Sequence, residues 1–190
     1  MSEQCMPSIE ALRDFFAATD AGDLEDAAVR IAKSVGVEIP PHTDWTTVEY
    51  EFNRLFVGPA AVSAPPFASA WSESDRALMG RATSEARQTY HRLGLAVPGE
   101  GVIPDDHLAY ELEAMLVLKS VLATGAGAPD AETAALHAWF VGEHLERWLP
   151  PFMQAVREQA TEGGVVALVT EALAAWFDNE RNSTAALRPA

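Results

Sequence analysis

The chain has 190 residues, 48% of them hydrophobic, a single cysteine and a formal net charge of −15. That length and composition suffice for a self-contained core and exclude disorder throughout. Cys5 alone cannot form an internal disulfide, which fits a reducing compartment, and the acidity disfavours nucleic acid and anionic membranes as partners. The first residues, Met1–Pro7, carry neither a basic start nor an apolar run, so no signal peptide is expected, and no apolar run approaches the length of a membrane span. A cytoplasmic protein is the expectation. The charge would attract a basic partner, although solubility accounts for it equally well.

Taken in order, the apolar residues fall at helical spacing. Ser8 precedes a helix over 9–19 with Ile9, Leu12, Phe15 and Phe16 on one face. Asp20–Asp23 reads as a turn, Leu24–Val35 as a second helix ended by Gly36, and Pro40-Pro41 as a linker. Thr46-Thr47-Val48-Glu49 has the pattern of a capping box opening a helix with Val48, Phe52, Leu55 and Phe56, stopped by Gly58-Pro59. Residues 60–71 lack periodicity yet are apolar, so this loop is expected to pack down with Phe67 and Trp71 as its anchors.

Ser74–Arg92 reads as a helix with Leu78, Ala82, Ala86 and Tyr90 inward and Gly94 beyond its end. Residues 94–103, rich in Gly and Pro, are the expected hinge between halves 1–93 and 104–178, with 179–190 a disordered tail. A helix over 130–149 carries His137, Val141, His144, Leu145 and Trp148 on one stripe, and Pro150-Pro151 is expected to end or kink it. Val165–Asp178 closes the fold. No alternating pattern or hairpin signal occurs, so the chain reads as all-α, one helical domain of about seven to nine helices in two sub-halves.

The richest stretch is Ile103–Leu116, IPDDHLAYELEAML. Pro104 halts what precedes it, and Asp105 has the chemistry of an N-cap. Asp106 adds charge where the helix dipole favours it, and His107 and Glu111 share a face four residues apart. A helix that is apolar nearly all round thus begins in a cluster of polar groups, more than capping requires.

Enzyme chemistry finds little support. His107, Glu111 and His144 could form a metal site in a helical bundle, but the repeated Glu-x-x-His unit of such sites does not occur. A Gly-x-Ser-x-Gly elbow and phosphate-binding glycine loops are absent too. The expectation is no metal, no cofactor and no catalysis, with a helical-bundle metalloenzyme using His107, Glu111 and His144 as the rival reading. A bare interaction domain for some other partner is a third.

The stretch PDDHLAYELEAML resembles the Asp-His pattern of the TorD/DmsD/NarJ family of cytoplasmic chaperones for molybdenum-containing oxidoreductases. Two further stretches resemble the same family in the same order: EFNRLFVGP over Glu51–Pro59 with Ala64-Pro-Pro-Phe67 and Trp71, and FVGEHLERWLPPF over Phe140–Phe152. Ala68, Ala70 and Ala114 are small where the family often carries larger side chains.

The resemblance implies an all-helical chaperone that binds the precursor of a molybdopterin-containing oxidoreductase of the DMSO/TMAO reductase type. It would grip the twin-arginine signal peptide and hold the precursor for cofactor insertion before export, as a monomer or a domain-swapped dimer. An arginine pair flanked by apolar residues needs carboxylates and an apolar groove. Asp105, Asp106 and Glu111 are the candidate carboxylates, with His107, Tyr110 and His144 beside them. Phe56, Gly58, Pro59, Pro65, Pro66, Phe67, Trp71 and Trp148 are the candidate groove.

Overall fold

The computed structural model describes residues 6–59, 62–72, 79–98, 104–124 and 131–186, with side chains as far as Thr184. Among these, regular structure is helical, and β pairing is limited to an isolated antiparallel bridge between Phe67 and His107. The all-α expectation is borne out.

The first helices start where the chain supplies an acceptor for free amides. Ser8 accepts from the Ala11 N–H to open α1, Ile9–Phe16. The Asp20 carboxylate accepts from the Asp23 N–H to open α2, Ala21–Val35, so the expected turn at 20–23 is the cap and first turn of that helix. Gly36 closes α2 in the left-handed region (φ 71°), which side chains with a Cβ avoid.

The capping box expected at Thr46–Glu49 is displaced by a better acceptor. Asp44 takes the N–H groups of Thr46 and Thr47 and the Thr47 hydroxyl, so α3 spans Trp45–Phe52. It continues as a π-helical turn, Asn53–Val57, which Gly58 ends.

The chain forms two compact units, each discontinuous in sequence. The first comprises residues 1–65 and 152–178. Its core joins Leu12, Leu24, Ile31 and Leu55 to a set of phenylalanines, all buried. Phe15, Phe16, Phe52, Phe56 and Phe152 meet with ring centroids 5.1 to 6.0 Å apart, most of them edge-on. That geometry brings positive ring edges to negative faces.

The second unit comprises residues 66–151 and 179–190. It contains α4 (Ser69–Ser72), α5 (Arg81–Arg92), α6 (Leu108–Thr124), α7 (Ala131–Trp139) and a π-helical segment, Phe140–Leu145. α5 packs against α6 and the π-helical segment, and α6 against α7. α8 (Glu146–Gln159) begins in the second unit and ends in the first; α9 (Val165–Ala186) does the reverse. These units and the expected halves on either side of 94–103 divide the chain differently. Residues 99–103 of the expected hinge, and 74–78 of the expected fourth helix, lie outside the described residues.

Two expectations about helix ends are corrected. Pro150 and Pro151 do not end the helix, because α8 runs through both. A proline presses on the carbonyl four residues back. Here those carbonyls belong to Glu146 and Arg147, where the wider π turns hand over to α8 and the regular ladder is already interrupted. The expected tail at 179–190 is helical as far as Ala186, with Glu180 and Thr184 buried. Its polar side chains have partners: Thr184 donates to the Glu180 carbonyl (2.8 Å), and the Glu180 carboxylate pairs with Lys119 and lies 3.6 Å from His137 Nε2.

Candidate functional site

The entrance to α6 is where the second unit concentrates its polar groups. The Ala68 N–H donates to the Asp106 carbonyl (3.0 Å), and the Leu108 N–H to the Pro66 carbonyl (2.9 Å). These two bonds align Phe67 with His107. The Asp106 carboxylate then completes the joint. One oxygen accepts from the Ser69 N–H at the start of α4 (2.5 Å), the other from the Thr83 hydroxyl (2.7 Å).

Asp105 is held from α5. Its Oδ2 accepts from Arg87 Nε (2.5 Å) and its carbonyl from the Tyr90 hydroxyl (2.9 Å). Thr83, Arg87 and Tyr90 stand at i, i+4 and i+7 of α5, one face of the helix. That face is complementary to the Asp105-Asp106 pair.

Asp105 was expected to cap α6, and both aspartates to offer pre-organised, partly desolvated carboxylates to a guanidinium. Both are fully buried (0% exposed), because α4 and α5 supply donors that offset their desolvation. The first turn of α6 is capped by His107, whose Nδ1 accepts from the Ala109 N–H (3.2 Å). That bond uses the lone pair a proton would occupy. Burial pushes the His107 pKa down to about 4, against the pull of Asp106.

One turn into α6, Glu111 is also fully buried. Its Oε1 lies 2.7 Å from His144 Nε2, and its Oε2 accepts from Trp148 Nε1 (3.0 Å). The π-helical segment carries His144, and Phe140 stacks on that ring at 5.0 Å. Nδ1 of His144 faces Glu85 at 3.7 Å, and Glu85 is paired with Arg81 and Arg147. Burial opposes charge on His144, but Glu111 and Glu85 prevail and its pKa is raised. For Glu111 burial acts in the other direction and raises its pKa, opposed by His144 and the Trp148 donor.

The accessible part of the site is aromatic. Phe67, Trp71, His107 and Tyr110 are each part-exposed. His107 sits between Phe67 and Tyr110, with ring centroids at 4.9 and 5.9 Å. The loop over 62–72 packs down as expected, but with the roles reversed. Its anchors are Ala64, Pro66, Ala68, Ser69 and Ala70, all buried, while Phe67 and Trp71 remain partly open. Trp148 and Phe56 are core residues rather than groove walls. Phe56, Gly58, Pro59 and Pro65 belong to the first unit, where Gly58 (φ 106°) and Pro59 follow the π turn.

Sequence reasoning missed Ser69, Thr83, Glu85 and Arg87. The spacing of Thr83, Arg87 and Tyr90 was a usable signal, since a polar stripe on a helix otherwise facing inward calls for a polar partner. Among the described residues, no group of three or more His, Cys, Asp or Glu is placed to hold a metal ion. Also among them, no helix is long and apolar enough to cross a membrane.

The arrangement defines an all-helical protein whose buried acids organise loops beneath a part-exposed aromatic surface. Residues 10–154 match the family described as nitrate reductase delta subunit, and the chain belongs to that family. This bears out the TorD-like resemblance. The chain is 31% identical over 109 residues to a Tat proofreading chaperone DmsD from Salmonella typhi, covering 57% of this chain and 48% of that protein. It is 28% identical over 134 residues to a chaperone protein TorD from a Psychrobacter species, covering 70% of this chain and 60% of that one. The chain thus matches about half to three fifths of the length of these relatives. A crystal structure of a proposed redox enzyme maturation protein from Archaeoglobus fulgidus shares the fold, with a TM-score of 0.59 over 90% of this chain and 91% of that one, at 22% identity.

Proposed function

We propose that this chain is a cytoplasmic maturation chaperone, not an enzyme. It binds the precursor of a molybdopterin-containing oxidoreductase at its twin-arginine signal peptide and holds it until the cofactor is inserted. The observation that carries the reading is the bridge between Phe67 and His107. It fixes two loops so that Phe67, His107 and Tyr110 form a part-exposed aromatic patch directly beside buried carboxylates, with the part-exposed Trp71 one helical turn beyond Phe67. Fixing the patch in advance lowers the entropic cost of gripping a flexible peptide. Aromatic faces accept both apolar side chains and guanidinium groups. Membership of the nitrate reductase delta subunit family and likeness to proofreading chaperones support the same reading.

The rival metalloenzyme meets a geometric obstacle. Both Glu111 oxygens are engaged by His144 and Trp148, and His107 Nδ1 is engaged by the Ala109 N–H.

The test is calorimetry of the full chain with a synthetic twin-arginine signal peptide from a molybdopterin oxidoreductase precursor of the same genome. A second peptide has both arginines replaced by alanine. Binding that weakens at least about tenfold without the arginines, and again in Phe67→Ala/Trp71→Ala, is expected. No binding of the first peptide would overturn the reading.

A further inference from the structure

We propose that Asp105 is a guanidinium site held by the chain's own Arg87, and that an incoming arginine takes Arg87's place. This rests on the arginine-peptide reading above.

The Asp105 carboxylate is fully buried, yet only half satisfied. Oδ2 accepts from Arg87 Nε at 2.5 Å, while Oδ1 has no hydrogen-bond partner among the described residues. A buried carboxylate oxygen without a donor is costly and rare. A pair serving structure alone is stable at such burial when the remaining lone pairs are satisfied. The chemistry that fills two carboxylate oxygens at once is a guanidinium presenting two parallel N–H groups. Asp105 is therefore shaped for a fuller guanidinium contact than the one Arg87 gives it.

The pair is also asymmetric. The Asp105 side chain is 1% exposed and the Arg87 side chain 28%. The acid is fixed independently of Arg87: Tyr90 holds its carbonyl, and Thr83 and Ser69 hold the neighbouring Asp106. The arginine is the more exposed and the longer partner, so of the two it is the one that can move aside. Exchange of one guanidinium for another keeps the buried charge paired, which avoids the large penalty of an isolated buried carboxylate. A lysine offers a point charge without the planar fork, and a neutral side chain offers no charge at all. The site thus selects arginine over either, and Arg87 sets the threshold that an incoming peptide must exceed.

The experiment has two arms. In the first, Arg87→Ala is melted with low-millimolar methylguanidinium or methylammonium at equal ionic strength. Methylguanidinium is expected to restore stability, methylammonium is not, and Arg87→Ala/Asp105→Asn should respond to neither. In the second, the twin-arginine peptide is titrated into wild type and variant. With the internal competitor gone, affinity should rise about tenfold.

A folded Arg87→Ala that binds the peptide no tighter than wild type overturns the exchange. If Arg87→Ala does not fold even with methylguanidinium, Arg87→Gln takes its place under the same criterion. If wild type does not bind the peptide at all, the proposed function fails. The first arm then decides the site alone, and equal effects of the two cations overturn it.

Discussion

Glu111 Oε1 lies 2.7 Å from His144 Nε2, and both side chains are sealed from solvent. Nδ1 of the same ring faces the Glu85 carboxylate at 3.7 Å. A neutral ring donating from Nε2 would turn the Nδ1 lone pair toward that negative charge. An imidazolium suits both neighbours, which is the direction in which the His144 pKa moves. The pair ties α6 to the π-helical segment, and Trp148 Nε1 takes the second Glu111 oxygen.

The consequence is a graded response to substitution. Glu111→Ala leaves a buried indole N–H and a buried imidazole without their partner, a loss of about 3–5 kcal/mol. Glu111→Gln keeps the size and an acceptor for Trp148, and its amide donates to His144 Nε2 once the neutral ring carries its proton on Nδ1 toward Glu85, so its cost is about 1 kcal/mol. Urea unfolding at neutral pH measures both. Similar small losses would show that the pair does not hold these elements together.

His107 gives a pH dependence of known sign. Its unfolded pKa is 6.5 and its folded value about 4. Between these the unfolded chain binds the proton and the folded chain does not, so stability falls as pH falls from about 6.5 to about 4. The ring is part-exposed, so about 3 kcal/mol is an upper bound on the loss. His107→Asn retains an acceptor for the Ala109 N–H and does not titrate. The difference in unfolding free energy between variant and wild type should grow in the variant's favour across that interval. A constant difference would place the acid sensitivity elsewhere.

How much of this was legible in the sequence follows from where partners come from. Periodicity marked Leu12, Phe15 and Phe52 as core because each helix carries its own apolar face. The Asp105–Glu111 cluster stood out because polar groups opening an apolar helix are unusual. The role of those acids was not legible. A carboxylate reads the same whether it faces water or is buried, and its donors here come from Ser69, Thr83 and Arg87, 18 to 37 residues away. The loop misled for a related reason. Large aromatics suggested anchors, while the buried positions went to alanines, which let the backbone at 66–68 approach Asp106 and Leu108 closely enough to pair. The end of α9 misled because its polar side chains find their partners on α6 and α7.

That end yields a further prediction. Glu180 is buried between Lys119 of α6 and His137 of α7. Burial works to raise its pKa, but His137 and Lys119 hold it below the usual glutamate value of 4.5. Its contribution is therefore fully present above about 4.5 and is lost as pH falls through the lowered value. Glu180→Ala should cost about 1–2 kcal/mol, since Lys119 is exposed and can return to water. Hydrogen exchange should show lost protection over 179–184 with little change near Val169 and Leu173. Unchanged protection there would mean that helix propensity alone holds the segment.

The net charge of −15 predicts how binding forms rather than how long it lasts. A field of that sign steers a basic peptide from a distance, and salt screens it over about 8 Å near physiological ionic strength. Once bound, an arginine at Asp105 would be buried, where salt reaches it far less. Rising salt should therefore slow association of the twin-arginine peptide by about tenfold or more between low and physiological ionic strength, with dissociation nearly unchanged. Stopped-flow mixing at several salt concentrations separates the two rates. Association that ignores salt would assign the acidity to solubility. Dissociation that quickens with salt would place the arginine contact at an exposed rim rather than at Asp105.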